Sequence, residues 1–313
     1  MTNFLANNRV SRLFGIRYPF IEGGMAWVGT SRLAIAVSEA GGLGTLGSGA
    51  MNPESLKKSI DEIRGATDKP FAVNLMLLNP HIAEQVSVCI REKVPAVVFG
   101  AGNPAEWVPK VKEAGIKVAA VVSSETLATY LENKGVDAII GEGMECGGHV
   151  GSVTVMTLIP VLKEQLRIPL IAAGGIADER GIKAAFCLGA EGIQLGTRLI
   201  ATEECEAHPH YKQRILDAGV RDTVLTGLSL GHPARVIKTA FTKQIIKCET
   251  KNPDEAEQLL TGSLRRAFTD GDLETGVFMA GQSVGLIHTI ESVSTLFNRW
   301  IEALTDDHET ERS

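Results

Sequence analysis

Aromatic residues are scarce in this chain, 5% of 313 positions, and nowhere do about twenty apolar residues run together, the length a membrane-spanning helix needs. The amino-terminal stretch MTNFLANNRVSRLFG likewise lacks the continuous apolar core of a signal peptide. A cytoplasmic protein with no membrane partner is expected. Basic residues do not exceed acidic ones, 31 against 37, for a net charge of -6. Neutralising phosphates needs a basic surface, so nucleic acid is not expected as a partner. The five cysteines (Cys89, Cys146, Cys187, Cys205 and Cys248) are odd in number and widely spaced, without the short paired spacing of a zinc site or a disulfide framework. They fit a reducing compartment. No G-x-G-x-x-G stands between a strand run and a helix, the placement that a dinucleotide fingerprint needs.

What the chain does have is small and apolar. Hydrophobic residues make up 44% of the sequence and 33 positions are glycine, a composition of α/β enzymes rather than of disordered or fibrous chains. Eight short runs rich in Val, Ile, Leu and Ala recur, beginning at Tyr18, Gly41, Pro70, Ala96, Lys117, Ala138, Ile168 and Gly192. Each ends in glycine or a small polar residue. Segments between them, such as PESLKKSIDEIRGA and SSETLATYLENKG, carry apolar residues at spacings of three and four behind Ser, Thr, Asp or Pro, which are helix-entry signals. Strands apolar throughout are buried on both faces, and β-helix-β succession makes a parallel sheet. Eight such units in residues 1–204 predict a (β/α)₈ barrel, with an open doubly wound sheet as the architectural competitor. After that the alternation stops. Residues 205–284 predict a smaller, mainly helical cap without further strand-helix alternation, and 285–313 a helix that closes the barrel, followed by an acidic tail, TDDHETERS, expected to be disordered.

Barrel active sites gather at the carboxyl ends of the strands, with phosphate often held after the seventh and eighth. There this sequence has AAGGIADERG and LGTRL, so Gly174 and Gly175 would offer backbone N–H groups at a helix start, and Gly196 with Thr197 a second set plus a hydroxyl. Glycine also simply suits a tight turn. Gly23, Gly24, Met25, Ser48 and Asn74 fall on the same rim, where a flat aromatic ligand could meet close backbone and a polar edge. Asn74 lies inside an apolar strand, and a buried amide needs partners, whether ligand or neighbouring backbone. The loop EGMECGGHVG after the sixth strand adds Glu142, Glu145, Cys146 and His149. One of the two acids is expected to face a ligand or cation and the other solvent. Cys146 reads either as a nucleophile or as a small buriable residue. His149 reads either as a catalytic group or as a loop histidine that keeps the site's shape.

The stretches PFIEGGMAWV, AVSEAGGLGTLGSGAM, TDKPFAVNLML, GAGNP, EGMECGGHVG, IAAGGIAD, GAEGIQLGTR, HPHYK, GHPARVIK and FMAGQSVGL, in that order from about Ser11 to about Ile301, resemble the FabK-type enoyl-acyl-carrier-protein reductases of the wider nitronate monooxygenase (2-nitropropane dioxygenase) superfamily. The resemblance implies an FMN-dependent barrel enzyme that uses NADH or NADPH to saturate the C2=C3 bond of a trans-2-enoyl group on acyl carrier protein, in bacterial fatty-acid synthesis. It further implies a homodimer, with a monovalent cation held by loop carbonyls as an option. Carried onto this chain, the flavin site would comprise Gly23, Gly24, Met25, Ser48, Asn74, Glu142, Gly174, Gly175, Gly196 and Thr197, with His149 as the catalytic residue near the flavin's edge. Cys146 departs from that pattern, where a small Ser or Ala is common. The alternative reaction is oxidation of alkyl nitronates with O2, and a rival of another class is a flavin-holding or phosphate-holding module without catalysis. Finally, RVIKTAFTKQIIK holds Arg235, Lys238, Lys243 and Lys247 and no acid, either a solvated face or a docking patch for an acidic carrier protein.

Overall fold

Each of the eight apolar runs becomes a parallel strand in the computed structural model, which describes residues 5 and 7–306. They are β1 (Phe20–Glu22), β2 (Gly44–Gly47), β3 (Phe71–Met76), β4 (Ala96–Gly100), β5 (Lys117–Val122) and β6 (Ala138–Glu142). After a two-residue β7 (Gly148–His149) outside the barrel come β8 (Leu170–Ala173) and β9 (Gly192–Leu195). The ladder runs β1-β9-β8-β6-β5-β4-β3-β2, and a parallel bridge between Ile21 and Leu43 joins its two ends. The fold is a (β/α)₈ barrel.

Period-two alternation divides each strand between two apolar layers. Ile21, Leu43, Ala72, Val98, Ala119, Ile140 and Ile171 form one buried cluster inside the ring, plugged below by Val10 and Phe14 of the short helix Arg9–Phe14. Phe20, Val73, Val97, Val118, Ile139, Leu170 and Ile193 point outward into a larger cluster beneath the helices. Helix starts follow the local chemistry: Asn52 accepts from Ser55 N–H at the head of Pro53–Ala66, and Asp178 from Gly181 N–H at the head of Glu179–Cys187.

The carboxyl-terminal helix Val293–Asp306 returns to the barrel and packs against helices Ser31–Glu39 and Glu179–Cys187. Phe297 and Trp300 meet Phe20 edge-on, with ring centroids 5.2 and 5.9 Å apart. All three rings are fully buried, and burying each contributes roughly 2–3 kcal/mol. Of the acidic tail, residues 307–313 lie outside the described residues.

The segment 205–284 adds a small sheet to its helices. Beside the helices Pro209–Asp217, Ala240–Glu249 and Pro253–Leu260 it contains β10 (Thr223–Thr226) and β11 (Ala234–Ile237), paired antiparallel, and β11 pairs in turn with β7. Strands of four and two residues are too short for a readable alternation, and β11 buries an arginine, Arg235, that reads as surface. The small sheet matters because it joins the cap to the loop that carries His149.

Candidate functional site

The last inward position of several barrel strands is where apolar packing gives way to polar or missing side chains. Gly100, Glu142 and Gln194 occupy it on β4, β6 and β9, Asn74 stands one inward position before the end of β3, and all four line a cavity of about 390 Å³ at the carboxyl ends of the strands. Of the expected site residues, Gly23, Gly24, Met25, Asn74, Glu142, His149, Gly174, Gly175, Gly196 and Thr197 line this cavity. Ser48 does not. It is fully buried behind the rim, where its hydroxyl donates to the Asn74 carbonyl oxygen at 2.6 Å, so it supports the strand rather than touching a ligand.

Asn74 combines its two possible roles, because its Nδ2 donates to the Val98 carbonyl oxygen at 3.2 Å while the side chain faces the cavity. Gly174 and Gly175 have φ of +97° and +75°, left-handed values that exclude most other residues. They do not sit at a helix start as expected. The helix Glu179–Cys187 begins later, and its terminal N–H groups are already capped by Asp178, so any donors here come from the loop itself. Thr197 Oγ1 accepts from Gly281 N–H at 2.9 Å, which leaves its own proton to donate.

Residues 143–149 after β6 form the opposite wall. Glu145 is neither solvated nor turned to the cavity, since its carboxylate accepts from Val155 N–H at 3.1 Å and caps helix Val155–Gln165, whose N-cap Thr154 makes no side-chain cap bond. Gly147 and Gly281 lie so close that a Cβ on Gly147 would meet Gly281 N at 2.7 Å. Gly281, Ser283, Met279, Tyr211 and Leu264 bring the cap to the cavity, and Tyr211 is held by its hydroxyl donating to the Met279 carbonyl oxygen at 2.7 Å.

Three titratable groups meet there. Burial pushes the Glu142 carboxyl up from 4.5 to about 7, against a smaller opposing effect of its hydrogen bond with Cys146. Burial first, then the Glu142 charge, pushes the Cys146 thiol upward. Its Sγ donates to the His149 carbonyl oxygen at 3.4 Å. A thiol held protonated is no nucleophile, so Cys146 is a packing residue of the loop. His149 stands at the cavity mouth with its pKa lowered, by partial burial first and by the electrostatic effect of His232 second. At neutral pH the imidazole is uncharged. Among the described residues no group of three or more His, Cys, Asp or Glu side chains is placed to hold a metal ion.

The cavity fits FMN, the group that the sequence resemblance implies. Gln194 Oε1 is buried without a partner and belongs to the cavity wall, an unmet acceptor that a ligand N–H would satisfy. A Cβ at Gly196 would meet only Met25 Sδ, at 3.6 Å, so the glycine leaves ligand space. Gln194 escaped the sequence reading, although a polar residue inside the apolar GIQL is the same signal that singled out Asn74. Tyr211, Leu264 and Met279 had no such signal, because nothing local tells which cap residues fold over the barrel.

Similar proteins share this architecture. A family model described as nitronate monooxygenase matches residues 7–303. A probable nitronate monooxygenase of Staphylococcus saprophyticus is 32% identical to the chain, covering 93% of it and 96% of that protein. Among solved structures, FabK from Thermotoga maritima superposes with a TM-score of 0.96 at 52% identity, over 98% of this chain and 99% of that one. A nitroalkane oxidase from Streptomyces ansochromogenes gives 0.85 at 26% identity, over 97% and 100%.

Proposed function

Since this chain belongs to the nitronate monooxygenase family and is an oxidoreductase, we propose that it is an FMN-dependent reductase of trans-2-enoyl thioesters carried on acyl carrier protein, with NADH or NADPH as electron source. The observation that carries the reading is the likeness to FabK, which at 52% identity and 98% coverage extends through the cap, the part of the chain that would enclose the substrate. Identity to the nitroalkane oxidase is half of that, 26%.

Bound FMN would supply the redox chemistry, passing hydride from the nicotinamide to the β-carbon of the enoyl group. The protein's own contribution is to position and to exclude water. Asn74, Gln194 and the glycines at 23, 24, 174, 175 and 196 would hold the cofactor, with Glu142 and Thr197 offering donors to its polar atoms. Leu264, Met279 and Ile200 give the cavity an apolar side that suits an acyl chain. A histidine with a lowered pKa is a poor standing acid at neutral pH. Its neutral N–H would instead donate to the thioester carbonyl, stabilising the negative charge that builds there as hydride arrives, and a proton drawn from solvent to the α-carbon would complete the saturation.

The names of the 32%-identical relatives favour a second reading, oxidation of alkyl nitronates with O2. Anaerobic reduction of the purified yellow protein with NADH or NADPH, followed by mixing with crotonyl thioester, separates the two. Rapid reoxidation by the thioester is expected. A flavin that ignores both nicotinamides and the thioester, yet turns over ethyl nitronate in air, would overturn the proposal.

A further inference from the structure

Arg235 is the one basic residue of the acid-free stretch that does not face solvent. It is 5% exposed, and its donors go to neutral acceptors: Nε to the Met144 carbonyl oxygen at 3.0 Å and Nη1 to Thr223 Oγ1 at 3.2 Å. Burying a guanidinium without a hydrogen-bonded carboxylate is costly, and burial lowers its pKa, with Cys146 and Glu145 opposing the shift. Stability alone is a weak reason for such a residue. Its connections suggest another. The main chain of Arg235 pairs with Gly148, and Ala234 pairs with His149, in the β11–β7 ladder. Next along, Val150 N–H donates to the Pro233 carbonyl oxygen at 3.0 Å. One residue therefore grips the loop 144–149 at both ends, by side chain at Met144 and by backbone at Gly148, while Thr223 fixes the guanidinium. On the loop's other side Gln282 N–H donates to the Glu145 carbonyl oxygen at 2.9 Å.

We propose that Arg235 is a positioning residue for His149: it clamps the loop 144–149 to the cap strand β11 and thereby holds the imidazole at the cavity mouth. The inference rests on the functional reading of His149. A forked guanidinium can bridge Met144 and Thr223 together, whereas a lysine ammonium on a flexible stem holds such a geometry poorly.

Hydrogen–deuterium exchange on the flavin-loaded protein tests the clamp, and a double-mutant cycle tests its purpose. Arg235→Met is expected to speed exchange of amides in 144–150 by ~10-fold or more, with peptides from β3 to β5 unchanged. Turnover should fall ~10-fold in Arg235→Met, and Arg235→Met should add almost nothing in a His149→Ala background, because residues acting through one group are not additive. If Arg235→Met does not fold, Arg235→Lys should give the same pattern at smaller amplitude. Unchanged loop exchange in a folded variant, or full additivity with His149→Ala, overturns the inference while leaving the reductase reading intact. A His149→Ala enzyme with full turnover overturns the role of His149 and this inference with it.

Discussion

The two walls of the cavity are built by different means. On the barrel wall, Asn74, Glu142 and Gln194 each lie within a strand whose register is fixed by a continuous parallel ladder, so each polar group is placed by backbone pairing over the whole ring. On the cap wall, position depends on a few long-range bonds, namely Arg235 to Met144, Tyr211 to Met279, and Gly281 to Thr197. A wall set by many cooperative bonds suits a permanently held cofactor, and one set by few suits the face that a substrate must pass. The comparison predicts that damage to the cap wall lowers turnover while the flavin stays, and that damage to the barrel wall changes flavin binding and stability.

The largest effect should come from His149→Ala, with turnover reduced ~100-fold or more, the scale for a group that acts directly on the reacting atoms, and with flavin content unchanged by absorbance. In the unmodified enzyme kcat/KM should fall as pH drops through a value below the usual imidazole 6.5, the lowered pKa of His149. A profile that instead falls as pH rises through that value would make His149 an acid and break the assignment.

Glu142 probes the barrel wall. Its carboxyl is raised from 4.5 to about 7, so the folded state binds this proton more tightly than the unfolded state does. The sign follows: the contribution of Glu142 to folding stability is greatest at acid pH and declines as pH rises from about 4.5 to about 7. Glu142→Gln should remove that decline in the flavin-free protein, stabilising it at pH 8 by on the order of 2 kcal/mol in denaturant titrations. Identical pH dependence in the variant would mean the carboxyl is already ionised. Next in size, Gln194→Leu removes the unmet acceptor and should raise the FMN dissociation constant ~10-fold, read by flavin fluorescence. An unchanged constant would place Oε1 away from the ligand.

The same contrast explains what was legible beforehand. Buried parallel strands announce themselves as continuous apolar runs, and all eight were read, together with the glycine turns at their ends. Asn74 stood out because an amide in an apolar strand is conspicuous. Ser48 misled, since a strand-end serine looks alike whether it faces a ligand or, as here, the Asn74 carbonyl. Glu145 misled similarly, its role as the cap of helix Val155–Gln165 depending on a turn that brings residues ten apart together. The cap sheet was not legible because β7 has two residues, and TVLT and ARVI mix polar with apolar residues instead of forming an apolar run. Their pairing depends on the barrel already being in place.

The smallest expected effect concerns the outer surface of the cap. With Arg235 withdrawn into the clamp, the basic stretch is reduced to Lys238, Lys243 and Lys247, all exposed. Lys243 and Lys247 lie one turn apart on helix Ala240–Glu249, where exposed charge steers an acidic partner more than it binds one. Replacing both by Ala should raise KM for an enoyl group on acyl carrier protein by roughly three-fold at low salt, less at high salt, and leave KM for the same group on coenzyme A within error. Neither lysine lines the cavity, so the affinity for FMN should not move. Equal change for both substrates would assign the lysines to the general field of the protein and leave the cap's share of recognition to the cavity side alone.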